Sequence, residues 1–218
     1  MSDVVLYGFW RSSSSHRVRI ALAYKDIRYA LRSVHLGRRE QLEPPFLDVN
    51  PAGQIPALEH DGTVITQSVA ILQYLDLRWP DRPVFPREPR AAARVWEIVE
   101  RVNSFLQPYQ MPGSVRRALV RHIDHPPESV DAGVGRFVHA QLRAGLEELE
   151  ARVARAAGRY CVGDAVTAAD MVVVPQLDGA ERFGIPLDGL DTLLGVRARC
   201  MALDCFQTSA AENQPDRP

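Results

Sequence analysis

Between Trp79 and Pro89 the chain carries four prolines in eleven residues, Pro80, Pro83, Pro86 and Pro89, and neither a helix nor a strand can run through such spacing. The break separates two stretches of different hydrophobic rhythm. Before it, short apolar runs alternate with helical patterns, which predicts strand 4–9, helix 14–25, strand 28–34, an irregular stretch, strand 57–60, strand 63–66 and helix 68–78. Asp61-Gly62 reads as a two-residue hairpin turn between the last two strands. A βαβ unit followed by ββα gives a small mixed sheet with helices on its faces. After the break the rhythm is helical: Val95, Ile98, Val99, Val102 and Leu106 form one core stripe, and Val138, Leu142, Leu146, Leu149 and Val153 form another. Thr167 and Asp170 make a variant capping box ahead of the apolar run 171–174. The expected organisation is a first domain over 1–83, a linker over 84–89 and an all-helical domain over 90–218, with a polar, frayed tail from Ala210 to Pro218.

Composition acts mainly by exclusion. With a net charge of −1, 46% hydrophobic residues and no block of like charge, nothing marks a nucleic-acid or membrane surface. The N-terminus lacks a basic-then-apolar signal pattern, and the apolar run Met171–Pro175 is too short to span a bilayer, so a cytoplasmic location is expected. Three cysteines, Cys161, Cys200 and Cys205, fall at irregular spacing without a histidine pair, which argues against a disulfide framework and against a zinc site. Lys25 is the lone lysine among 26 lysine and arginine residues.

The chemistry-bearing feature is FWRSSSSHRVRIAL, residues 9–22, where four serines stand between an apolar strand and a helix carrying Val18, Ala21 and Leu22 inward. A helix N-terminus offers free N–H groups and about half a positive charge, so a thiolate, carboxylate or phosphate would be stabilised there. The same serines could simply cap the helix. Two more segments of the first domain invite both kinds of reading. In NPAGQIPAL, residues 50–58, a cis bond before Pro56 would turn the backbone of Ile55 outward to pair with an extended ligand, whereas spacing alone favours a trans proline opening an edge strand. In Thr66-Gln67-Ser68, Ser68 is a natural cap for helix 68–78, and its N–H and hydroxyl could equally receive a ligand carboxylate beside Gln67.

Taken together, these motifs resemble a cytosolic glutathione transferase: a thioredoxin-like N-terminal domain followed by a helical C-terminal domain. Within that superfamily FWRSSSSHRVRIAL resembles the zeta-class signature, in which a Ser-Ser-Cys turn precedes (W/H)RVRIAL. YCVGDAVTAADMVVVPQ at 160–176, Ala180-Glu181-Arg182-Phe183 and the late Gln214-Pro215-Asp216 agree, so the likeness runs essentially end to end. The family includes maleylacetoacetate isomerase and bacterial maleylpyruvate isomerases, and the resemblance implies a homodimeric, glutathione-dependent cis–trans isomerase of a maleyl diketo acid from aromatic-acid breakdown.

What the resemblance implies can be carried over residue by residue. Ser12 matches the serine that holds the sulfur, Ser13 sits at the same turn, and Ser14 stands where zeta members often have cysteine. Ser15 reads as the helix cap and His16 as a packing residue. Gln54, Ile55, Pro56, Gln67 and Ser68 would bind glutathione, with Gln110 from the second domain. Arg11 and Arg182 would take substrate carboxylates through their planar forks, and Gln107 would line the substrate site. The branch signals are mixed. Trp10-Arg11-Ser12 and Val34-His35-Leu36-Gly37 resemble the maleylpyruvate branch, which tends to carry His at the place of Gln107 and arginine near Pro112-Gly113. Arg116 or Arg117 would compensate for that charge. Two other readings stay open: a zeta-class transferase acting on another electrophile, and a non-catalytic binding module with a transferase-like fold.

Overall fold

The computed structural model describes residues 3–111 and 127–218; Pro112, Gly113, Arg116 and Arg117 lie outside the described residues. The chain divides into two compact units, Met1–Pro86 together with Arg199–Pro218, and Arg87–Ala198.

The first unit runs β1 (Val4–Gly8), α1 (Ser13–Tyr24), β2 (Ala30–Ser33), α2 (Pro44–Leu47), β3 (Ala57–His60), β4 (Thr63–Thr66) and α3 (Ser68–Arg78). The sheet order is β2-β1-β3-β4, with β1 parallel to β2 and antiparallel to β3. The crossover through α1 accounts for the parallel pair, and the hairpin for the antiparallel one. Asp61 and Gly62 both take positive φ, 49° and 72°, as a two-residue turn between twisted strands requires. The stretch between β2 and β3 is less irregular than the sequence suggests, because two 3-10 turns, Leu36–Arg38 and Glu40–Leu42, precede the short α2.

Helix α1 is buried without interruption from Ser15 to Leu22, since α3 and the helix Asp204–Ser209 both pack on it. A helix covered on two sides cannot keep a wet polar face. Arg17 and Arg19, two residues and about 200° apart on the wheel, are therefore both enclosed. Their enclosure is a departure from the amphipathic pattern of the sequence.

The tail is docked rather than frayed. Gln214 donates to the carbonyls of Thr208 and Ala210, each at 2.9 Å, and Asp216 accepts from Trp10 N–H at 3.0 Å and Ser33 O–H at 2.7 Å. Asp216 is held by partners far away in sequence, whereas Gln214 bonds within the tail and Glu212, Asn213 and Arg217 stay exposed.

The lone lysine anchors the proline-rich segment. Lys25 Nζ lies 2.9 Å from Asp76 and donates towards the carbonyls of Trp79, Asp81 and Arg82 at 2.8, 3.3 and 3.1 Å. Asp76 in turn accepts from the N–H groups of Val84 and Phe85. A compact ammonium suits a ring of carbonyls better than a planar guanidinium does.

In the second unit α4 (Pro89–Glu100) passes into a π-helical segment, Arg101–Leu106, and a last turn, Gln107–Tyr109. Glu88 caps α4, accepting from Arg90 and Ala91 N–H at 3.0 and 2.6 Å, and those two bonds hold its carboxyl below the usual range. The helices Pro127–Ala154, Ala168–Arg182 and Asp191–Met201 follow, the last crossing the boundary between the units. Both predicted stripes are buried. A Cβ on Gly145 would stand 2.5 Å from Leu106 Cδ2, so glycine is what lets these two elements meet closely.

The capping box is present at Thr167 and Asp170. The fully buried Asp170 accepts from Thr167 N–H and Cys161 N–H, both at 2.8 Å, and from the Thr167 hydroxyl at 3.0 Å. Burial nonetheless pushes its carboxyl above the usual range, against those bonds. Among the described residues no helix is long and apolar enough to cross a membrane.

Candidate active site

The serine turn resolves into distinct roles. Ser12, not Ser15, is the N-cap of α1: its backbone is extended and its Oγ accepts from Ser15 N–H at 3.2 Å. Ser15 is instead fully buried, its Oγ accepting from Phe9 N–H at 3.4 Å and lying close to where a Cβ on Gly8 would stand. A larger residue at either position would force the strand and helix apart. A hydroxyl has one donor and two acceptor sites, so Ser12 can cap the helix with a lone pair and still donate its proton. The two readings of the serine run, cap and anion site, are thus compatible in one residue. The first turn of α1 contains no acidic side chain, which leaves the positive end of the helix dipole un-neutralised. Ser13 and Ser14 are half-buried on that first turn, Arg11 is exposed just before it, and His16 is buried behind it.

The second cluster lies beside the same end of β1, because β3 runs antiparallel to it with Ala57 opposite Tyr7. The Ile55-Pro56 peptide is cis, which corrects the trans form that spacing alone favours; isomer choice has no signature in the local sequence. Asn50 ties the preceding loop by donating to the Gln54 carbonyl at 2.6 Å and accepting from Ala52 N–H at 3.2 Å. Pro56 is buried while Gln54 is exposed and Ile55 half-buried, and β3 begins one residue after the proline. Because Ala57 pairs with Thr66, Gln67 follows directly opposite this loop, and its side chain reaches Gln54 at 3.5 Å. Gln67 holds a φ of 68°, a conformation that side chains other than glycine rarely adopt and that clusters at ligand sites. Ser68 opens α3 and is buried, where its Oγ accepts from Arg17 Nη1 at 3.2 Å. The structure therefore brings Gln54, Ile55, Pro56, Gln67 and Ser68 together.

Sequence reasoning missed Arg17. Its guanidinium is fully buried, and desolvation draws its pKa down to about 10, yet it stays charged at neutral pH. A cation set behind Ser68 at a helix N-terminus reinforces a place for a carboxylate. The available signal was the RVR spacing, whose two arginines must leave the helix in nearly opposite directions.

In the second unit Gln110 is buried, and its Nε2 donates to the Gln176 carbonyl at 2.9 Å. Gly179 makes the room, since a Cβ there would meet the Gln110 amide at 2.5 Å. Gln107 is half-buried at the end of the π-helical segment. Arg182 is exposed in the last turn of its helix, next to Glu181, which is engaged by both terminal nitrogens of Arg197 at 2.7 and 3.0 Å. Among the described residues there is no His, Cys, Asp or Glu group able to hold a metal, and no disulfide joins Cys161, Cys200 and Cys205.

Comparison with known proteins places this arrangement. Residues 2–77 match the family model of the glutathione S-transferase N-terminal domain. Maleylacetoacetate isomerase of Mus musculus is 35% identical over 216 residues, covering 98% of this chain and 95% of the relative. A crystal structure of maleylacetoacetate isomerase from Anaeromyxobacter dehalogenans, with glutathione bound in its active site, superposes with a TM-score of 0.86 at 39% identity and covers 99% of this chain and 98% of its own. The holo structure of a bacterial zeta-class maleylpyruvate isomerase gives a TM-score of 0.88 at 33% identity, covering 98% and 100%. With similarity of that level along the whole length, this chain belongs to the zeta-class glutathione transferase family.

Proposed function

We propose that this protein is a glutathione-dependent cis–trans isomerase of a maleyl diketo acid such as maleylacetoacetate or maleylpyruvate. The observation that carries the reading is Ser12, which caps α1 with a lone pair and keeps its proton for an anion at a helix end without acidic side chains. A free thiol with a pKa near 8.5 is only a few per cent ionised at neutral pH, and each unit of depression is about 1.4 kcal/mol. A hydroxyl donor and an unopposed helix dipole both act in the required direction.

The residues present fit the tripeptide. Ser68, backed by the buried Arg17, suits a carboxylate; Gln54 and Gln67 supply amides beside it; the backbone of Ile55 precedes the sheet ladder and suits an extended main chain. Gln110 completes the proposed glutathione set. When bound, glutathione supplies a thiolate that adds to the cis double bond and departs again after the bond has turned. Ser12 and Ser14 stabilise the sulfur while it is anionic, and the hydroxyl of Ser13, on the same first turn, serves the sulfur or the charge that the addition drives onto substrate oxygen. Arg11 and Arg182 hold the substrate carboxylates, and Gln107 orients the diketo acid. The reaction consumes neither thiol nor redox equivalents.

The proposal includes two domains of separate duty, a glutathione-binding domain over 1–83 and a substrate-binding domain over 90–218, with Arg199–Pro218 returning to the first compact unit, and a cytoplasmic homodimer. Leu77 on α3 and Val64 on β4 stand exposed in the first domain, where apolar surface is available for a second copy; light scattering tests the dimer. Turnover of maleylacetoacetate and maleylpyruvate with and without glutathione tests the activity. Thiol-dependent production of the trans acid is expected. Equal rates without thiol would remove the mechanism, and conjugation of other electrophiles without isomerisation would replace it with a general transferase.

A further inference from the structure

We infer that Asp216 and Arg19 are positioning residues for the reaction, clamping Phe9 and Trp10 from two sides so that the Ser12 hydroxyl is held where the sulfur anion forms. The inference rests on the thiol-activating reading of Ser12.

The three residues before Ser12 leave the sheet after Gly8 and would otherwise form an ordinary exposed turn. Four hydrogen bonds prevent this. The Phe9 carbonyl accepts Ser12 N–H at 3.0 Å and also Arg19 Nη1 at 3.2 Å. The Trp10 carbonyl accepts Arg19 Nη2 at 3.1 Å. Trp10 N–H is taken by Asp216 Oδ2 at 3.0 Å, and the same oxygen accepts the Ser33 hydroxyl at 2.7 Å. The remaining arm of Arg19 donates to the Ser209 carbonyl at 3.0 Å, tying the clamp to the docked tail. Both peptide groups flanking Trp10 are thus fixed by ionised partners, which make hydrogen bonds about twice as strong as neutral ones.

The cation is enclosed: burial draws Arg19 down to about 10, with Asp216 and Tyr29 opposing. A guanidinium buried at such cost against two successive carbonyls is an expensive way to hold a loop, and the loop it holds ends at the residue that caps α1. The late Gln214-Pro215-Asp216 motif, which has no role of its own in the family reading of the sequence, gains one.

The experiment compares the full-length protein with Asp216→Ala, Asp216→Asn and Ser33→Ala, following the ultraviolet band of bound glutathione thiolate against pH, together with kcat, KM and thermal midpoint. Asp216→Ala should raise the bound thiol pKa and lower kcat by about 10-fold, in line with the sensitivity of catalysis to displacements of an ångström or less. Asp216→Asn, which keeps an oxygen for Trp10 N–H, should recover most of the loss. Ser33→Ala should shift both readouts in the same direction by less.

The sign is diagnostic. Removing a negative charge without moving the turn would lower the thiol pKa, and a purely structural tail contact would lower the thermal midpoint while leaving the thiol titration of the folded fraction where it was. Either result overturns the inference. If Asp216→Ala does not fold, Ser33→Ala decides it, and an unshifted titration there overturns it equally. Failure of the underlying reading is separately visible, because the unsubstituted protein would then show no lowered thiol pKa at all.

Discussion

At the start of α1 the buried charge that orders the backbone is a cation, Arg19, holding carbonyl groups, whereas at the start of the helix Ala168–Arg182 it is an anion, Asp170, holding N–H groups. Each answers a local surplus. A strand-to-helix turn that doubles back leaves carbonyls in need of donors; a helix entering a packed core leaves amides in need of acceptors. The caps differ accordingly. An aspartate inside the first turn terminates a structural helix and cancels its positive end. A serine terminates α1 as well, but leaves that end free to act on a ligand.

Five substitutions at four positions would break or sharpen this contrast. The largest effect is expected at a second cation holding carbonyls, Lys25. Lys25→Met strands Asp76 and three carbonyls, and breaking a buried pair from one side costs about 3–5 kcal/mol, to be read from the urea midpoint. Retained stability would mean that the cation-and-carbonyl pairing is incidental. Asp170→Ala leaves three buried donors without acceptors and should cost about 2–4 kcal/mol; the folded fraction should keep its kcat, and a loss of kcat instead would erase the distinction between structural and reactive helix ends. Ser12→Ala should lower kcat by ~10–1000-fold, about 1.4–4 kcal/mol of barrier. A companion, Ser12→Asp, restores the cap while placing a charge at the helix end. It should remain stable yet ionise glutathione poorly, and full activity in that variant would show that the uncancelled dipole is irrelevant. Smallest is Arg182→Ala, which should raise KM for the diketo acid by about 10-fold, or about 1.4 kcal/mol, with little change in kcat; unchanged kinetics would dismiss it as a carboxylate ligand.

How far the sequence carried the reader depended on the range of the signal. The limits of β3 and β4 were legible because Asp61-Gly62 is a local instruction that needs no distant partner. The capping box was legible for the same reason. Helix α3 begins where expected although Ser68 is its first residue rather than its cap: Gln67 holds the cap position without a side-chain bond, and the Ser68 hydroxyl serves Arg17 instead. The first turn of α1 was harder, since any of four consecutive serines can cap, and the choice of Ser12 over Ser15 follows from Phe9 and Gly8 claiming the latter. Arg17, Arg19 and Asp216 were invisible in function because their partners lie on other elements: Ser68 for the first, Ser209 as well as the nearby turn for the second, and Trp10 and Ser33 for the third. A polar tail with such partners is indistinguishable by composition from a solvated one. The cis bond before Pro56 likewise carries no local signature.

Enclosure of Lys25 has an outcome for covalent chemistry. The protein has one lysine in 218 residues, and that side chain has 0% of its surface open to solvent, so acylating reagents and lysine-directed enzymes meet no side-chain amine on the native surface. Labelling at this position would proceed only as the 79–84 segment lifts away, which turns a single side-chain amine into a clock for the local opening of that segment.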